Sequence, residues 1–175
     1  MFEMIRGLRV LDLGTGVAGP YCGKLLLDAG ATVVHVESPG GDPLRSEGPL
    51  LDHEGHDAGA AFAFCNAGKQ SVVLDYTEPD GARRLWELIQ WADILVENEQ
   101  PGTLGRYGFG PDDVLAAHPA LVYVSITGYG QSGPLRDWQA TELTIGAACG
   151  VVELNGAEDR EPIAYPGHMM GVWSG

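Results

Sequence analysis

Apolar positions along the chain fall into short dense runs, separated by glycine, proline and acidic clusters. Leu8–Leu13 (LRVLDL) reads as a buried strand and Gly14–Pro20 (GTGVAGP) as a glycine turn. Tyr21–Ala29 (YCGKLLLDA) has the length and apolar content of a helix, stopped by Gly30. Thr32–Val36 (TVVHV) is short and β-branched, which predicts a second buried strand. A parallel pair needs a crossover helix, so these pieces form a βαβ unit. Ser71–Asp75, Asp93–Glu97 and Leu121–Ile126 predict further strands. Helices are predicted over Pro79–Trp91, which Pro79 opens, over Pro111–His118, and over Gln139–Cys149 before Gly150. The alternation predicts an α/β fold, a Rossmann-like open parallel sheet with helices on both faces.

Two stretches break the rhythm. Ser38–Gly59 is rich in Pro, Gly and acids with almost no apolar period, and a long excursion inside a compact domain is more often functional than structural. His168–Gly175 (HMMGVWSG) stops inside an apolar segment, which predicts a fragment or one half of something larger.

Composition narrows the classes. The chain has 175 residues with 45% apolar, the material of one globular domain. Ten Lys+Arg against 24 Asp+Glu give a formal charge of −14, which argues against nucleic-acid binding. No apolar run approaches the roughly 20 residues of a membrane span, and the start MFEMIRGLRV has no secretory h-region. Cys22, Cys65 and Cys149 form neither a disulfide framework nor a zinc pattern, which predicts a reducing cytoplasm. His53 and His56 in Asp52–Asp57 (DHEGHD) lack a companion cluster, so no metal is expected.

Gly14, Gly16 and Gly19 spell G-x-G-x-x-G between a strand and a helix, and Glu37 closes the next strand. In that context the glycines admit a pyrophosphate and the acid binds a ribose hydroxyl, the arrangement of an NAD site. Pro20 tells against it, because it has no N–H to offer a phosphate, and bulky Tyr21 follows. An ordinary tight βα turn, with glycine easing the packing, remains equally open.

The line from Val10 to Arg45 (VLDLGTGVAGPYCGKLLLDAGATVVHVESPGGDPLR) resembles the N-terminal part of the family III CoA-transferases. The similarity continues through Asn66–Asp75, Val96–Phe109 and Leu121–Pro134 to Gly156–Pro162 (GAEDREP), in the family's order. The resemblance implies a core that binds coenzyme A rather than a nicotinamide. It also implies a longer protein, with a second domain and a returning segment absent from this chain, acting as an interlocked homodimer or with a complementary C-terminal chain. The substrates would be acyl-CoA and carboxylic acids, without nucleic acid or membrane.

In the family's transferases an aspartate attacks the thioester, giving a mixed anhydride and later an aspartyl-CoA thioester, which splits one hard transfer into easier steps. The G-x-x-D-x-x-P pattern places that role on Asp159; the plain alternative is a surface acid in the hairpin Glu158–Glu161. In the family's racemases an aspartate matching Glu142 shuttles an α-proton, but the preceding histidine is Thr141 here. The positions matching coenzyme contacts are Val17, Ala18, Ser38, Lys69, Asn98, Glu99, Arg106, Thr127 and Tyr129, with Lys69 and Arg106 as the phosphate cations. Formyl-CoA transferase has Gln, Arg and Lys where this chain has Val17, Ser38 and Thr127; Arg45 or Lys24 are candidate substitutes. Besides CoA transfer, a racemase, a non-catalytic CoA-binding or oligomerisation subunit and an NAD-dependent oxidoreductase remain as readings.

Overall fold

Short β-branched and aliphatic runs form the strands. In chain order these are β1 (Arg9–Asp12), β2 (Thr32–Glu37), β3 (Leu50–His53), β4 (His56–Gly59), β5 (Gln70–Val73), β6 (Ile94–Glu97) and β7 (Val122–Ser125). The helices are α1 (Ala18–Asp28), α2 (Ala60–Asn66), α3 (Pro79–Trp91), α4 (Pro111–Ala117), α5 (Glu142–Ala148) and α6 (Met169–Ser174). This is a computed structural model that describes residues 4–53, 56–157 and 159–175. Within the β3–β4 hairpin, the side chains of residues 52–57 lie outside the described residues, and with them the pair His53 and His56.

Five strands make one parallel sheet in the order β5-β2-β1-β6-β7. Register sets Val10 beside Val33 and Ile94, and Leu11 beside Val34 and Leu95. Because side chains alternate along a strand, these two rows face opposite sides. Leu11, Val34 and Leu95 pack against Leu85 and Ile89 of α3 and Val114 of α4. Val10, Val33 and Val96 pack against Cys22, Leu26 and Leu27 of α1. The sheet is therefore covered on both faces, as the alternating pattern predicts. No described helix is long and apolar enough to cross a membrane.

The structure departs from the sequence reading at the ends of elements and in one gap. Helix α1 starts at Ala18, so Pro20 sits inside its first turn, where a missing N–H forfeits no helical bond. Gln139 and Ala140 stay outside α5, because Thr141 caps it through a reciprocal box with Thr144. The excursion after β2 contains a 3₁₀ turn at Pro43–Arg45 and the β3–β4 hairpin. Helix α2 follows directly, burying Phe62 and Cys65.

Candidate functional site

Strand order reverses between β1 and β6, and open α/β sheets bind ligands outside the strand ends at such a point. A cleft of about 310 Å³ opens there. Val17 and Ala18 form one wall where the glycine turn enters α1. Asn98 and Glu99 enter from β6, Thr127 and Tyr129 from β7, and Glu142, His168 and Gly171 from α5 and α6.

The glycine turn itself is closed. The Gly14 amide donates to Asp12 Oδ1 at 2.9 Å, Thr15 to Asn98 Oδ1 at 2.8 Å and Gly16 to Asp42 Oδ2 at 2.9 Å. A Cβ on Gly14 would meet Gly19 Cα at 2.7 Å and Pro20 Cδ at 2.8 Å, so the glycines are there for packing. Glu37 is equally occupied: Arg45 donates to it from Nε at 2.6 Å and Nη2 at 2.7 Å, and Ser71 Oγ at 2.9 Å. The guanidinium holds that carboxyl down to about 2. A dinucleotide would find neither open amides at Gly14–Gly16 nor an open ribose acceptor. The NAD reading fails on both counts.

Lys69 is not a surface cation. Its side chain is 1% exposed, and Nζ donates to Asp12 Oδ2 at 2.7 Å, Pro20 O at 2.6 Å and Asn66 Oδ1 at 2.9 Å. His35 Nδ1 lies 3.1 Å from the same Asp12 oxygen. Burial pushes the Asp12 carboxyl up, but the His35 hydrogen bond and the Lys69 charge outweigh it and hold it below its ordinary value. The substitutes suggested by sequence are engaged too, Arg45 with Glu37 and Lys24 with Asp28.

The far bank of the cleft is open. Thr127 Oγ1 is buried with no hydrogen-bond partner among the described residues. Tyr129 stands edge-on to Trp138, ring centroids 6.1 Å apart. Glu142 accepts the Met170 amide at 2.6 Å and the Gly171 amide at 3.1 Å, so it caps α6 while lining the cleft. A Cβ on Gly171 would lie 3.1 Å from Val17 Cβ, so glycine lets α6 close against the turn. Thr141 is held in the α5 cap, which leaves no acid–base group in the place of the racemase histidine. Near the open bank, burial pushes the Glu97 carboxyl up against hydrogen bonds from Ser125 and the Glu99 amide.

Seven of the sequence-predicted residues thus meet in one cleft: Val17, Ala18, Asn98, Glu99, Thr127, Tyr129 and Glu142. Four do not. Lys69 lies under α1. Ser38 is exposed at the end of β2, and Arg106 is exposed on the 3₁₀ turn Leu104–Tyr107 with no side-chain partner among the described residues. Asp159 is exposed on a loop closed at its base by Asn155 and Ile163, outside the cleft lining. Sequence reasoning passed over Arg136 and His168, which line the cleft. Their signal was available: cations are scarce in a −14 chain, and both sit in glycine- and proline-rich loops.

The profile of CoA-transferase family III matches residues 5–175. The chain belongs to that family. It is 35% identical over 163 residues to the succinate–glutarate CoA-transferase of Agrobacterium fabrum, covering 91% of this chain and 41% of that protein. It is 36% identical over 159 residues to subunit BbsE of the succinyl-CoA:(R)-benzylsuccinate CoA-transferase of Thauera aromatica, covering 90% of this chain and 38% of the relative. Among solved structures, a CAIB/BAIF family protein from Brucella suis superposes with a TM-score of 0.90 at 37% identity, over 95% of this chain and 44% of that one. The chain therefore spans about two fifths of the length of the relatives it matches.

Proposed function

We propose that this chain supplies the coenzyme A cleft of a CoA-transferase that moves CoA between carboxylic acids in a reducing cytoplasm. The observation that carries the reading is the convergence of the seven coenzyme-contact and catalytic candidates on one cleft at the strand switch point. The Thr127 hydroxyl, buried in the cleft lining with no partner among the described residues, supports it, because such a group is available to a ligand. Arg106, exposed on the turn after β6, and Arg136, in the cleft lining, replace Lys69 as the candidate phosphate cations.

Transfer begins when a carboxylate oxygen bonds the thioester carbon, the C–S bond breaks, and CoA leaves as thiolate from a mixed anhydride. The anhydride must be kept from water. Of the two candidate carboxylates, Glu142 sits in the cleft wall and is held there by α6, whereas Asp159 is exposed. Glu142 is accordingly the stronger candidate for contact with the acyl group. A second reading, a CoA-binding subunit that needs a complementary chain, is favoured by the exposed Asp159 and by the likeness to a relative named as a subunit.

Calorimetric titration with coenzyme A and with NAD tests the cleft, and CoA binding without NAD binding is expected. Incubation of the intact protein with succinyl-CoA, followed by peptide mass spectrometry, then locates any covalent CoA adduct. An adduct on Glu142 supports catalysis there, and one on Asp159 restores the expectation from sequence. Binding without an adduct leaves the subunit reading, and no CoA binding at all sinks the proposal.

A further inference from the structure

A buried polar cluster centred on Lys69 lies beneath α1, outside the cleft. Lys69 enters from the loop after α2 and donates all three of its protons to different elements: Asp12 at the end of β1, the Pro20 carbonyl in the first turn of α1, and Asn66 at the end of α2. Asp12 passes the link on, since its other oxygen accepts the Gly14 amide. The cluster thus grips the glycine turn from below at both ends. Helix α1 is shaped around it. A Cβ on Gly23 would meet Asp12 Oδ2 at 2.9 Å and Lys69 Nζ at 3.2 Å, so a helix-interior glycine, otherwise unfavourable, makes room for the cluster. The far side of the gripped segment is Val17 and Ala18, which form a wall of the cleft.

We propose that Lys69 is a positioning residue: through Asp12 and Pro20 it sets where the first turn of α1 presents Val17 and Ala18 to the cleft. Its job is geometric, and the ligand never touches it. A lysine here binds three acceptors on three elements at once, which fixes both the height of the turn over the sheet and its angle to α1. Its binding consequence rests on the coenzyme A reading above; its effect on the turn does not.

The test compares the intact protein with Lys69→Met, with the double variant Asp12→Asn/Lys69→Met, and with Gly23→Ala. Lys69→Met leaves a buried carboxylate facing His35 and the thiol of Cys22, and loses stability. The double variant removes both charges and keeps an oxygen for the Gly14 amide, so it regains most of that stability. Two quantities are read: hydrogen exchange at the Tyr21 amide, which donates to the Val17 carbonyl at 2.8 Å and closes the first turn of α1, and coenzyme A affinity by calorimetry. In the double variant, exchange at Tyr21 rises and affinity falls about tenfold or more, while melting stays near that of the parent; Gly23→Ala, which crowds the cluster, shows the same two changes with a lower melting temperature. Unchanged exchange and affinity in a folded double variant would make Lys69 a stability element alone and overturn the proposal. If Lys69→Met does not fold, the other two variants decide. If the parent protein binds no coenzyme A, it is the functional reading that fails, and the exchange measurement still judges the positioning role.

Discussion

The two banks of the cleft treat their polar groups in opposite ways. On the β1–β2 bank the amides of Gly14, Thr15 and Gly16 are met by Asp12, Asn98 and Asp42, Arg45 closes Glu37, and Lys69 is saturated, with His35 Nε2 the one buried polar side-chain atom left without a partner among the described residues of that bank. On the β6–β7 bank the Thr127 hydroxyl lines the cleft and is buried with no partner among the described residues. Satisfied groups make a scaffold, and an unsatisfied one in a cleft wall is available to a ligand. A glycine pattern is therefore evidence of close packing first, and of phosphate binding only where its amides are open.

The sharpest way to break this comparison is to crowd the closed bank. Gly14→Ala drives a methyl against Gly19 Cα at 2.7 Å and Pro20 Cδ at 2.8 Å, and should cost about 3 kcal/mol in urea unfolding. Gly16→Ala meets nothing within 4 Å and carries only the strain of φ +68°, about 1 kcal/mol. Equal losses at the two positions would show that conformational freedom, not packing, explains the motif.

Next in size is Arg45→Met, at about 2 kcal/mol near neutral pH, because the buried Glu37 carboxylate loses its cation while keeping Ser71. Glu37 is depressed from 4.5 to about 2 in the folded protein. A depressed acid contributes stability above its unfolded value and loses it as pH falls through the folded one. The curves of the parent and variant should therefore converge between pH 4.5 and about 2, with coenzyme A affinity unchanged. Parallel curves across that range would break the assignment of the pair as scaffold.

What the sequence made legible follows the same division. Strands such as TVVHV and the long amphipathic helix Pro79–Trp91 announce themselves, because burial on one or both faces writes a period into the residues. Helix α2 (AAFAFCN) is only seven residues and begins at once after a strand, so no period could develop. Lys69 was expected to hold a phosphate because its position matches the family's and cations are scarce, but a matched position does not show a side chain's partners; its burial depends on Asp12, 57 residues away, and on the gap at Gly23. Asp159 was placed by a local pattern, and a local pattern cannot say which way a loop leaves the sheet. The residues of the open bank were legible by position alone, since Asn98, Glu99, Thr127 and Tyr129 all follow the carboxyl ends of strands.

Asn98 belongs to both banks and sharpens the contrast at smaller scale. It accepts the Thr15 amide and donates to the Thr15 carbonyl, both at 2.8 Å, while lining the cleft. Asn98→Ala should lose about 1 kcal/mol of stability and, with the turn released from the β6 side, about tenfold in coenzyme A affinity. Loss of stability without loss of affinity would assign Asn98 to the closed bank alone.

The smallest change carries the most information. Thr127→Val keeps the shape of the side chain and removes a buried hydroxyl that has no partner among the described residues. On a scaffold position the swap would cost a hydrogen bond. Here there is none to lose, so unfolding free energy should stay within about 0.5 kcal/mol of the parent or rise slightly. Coenzyme A affinity should nonetheless fall, by about five- to tenfold if the ligand supplies the missing partner. Stability and affinity thus move apart at Thr127, whereas at Gly14 stability carries the effect. A Thr127→Val protein that is less stable and binds coenzyme A as before would place this hydroxyl in the scaffold and erase the difference between the banks.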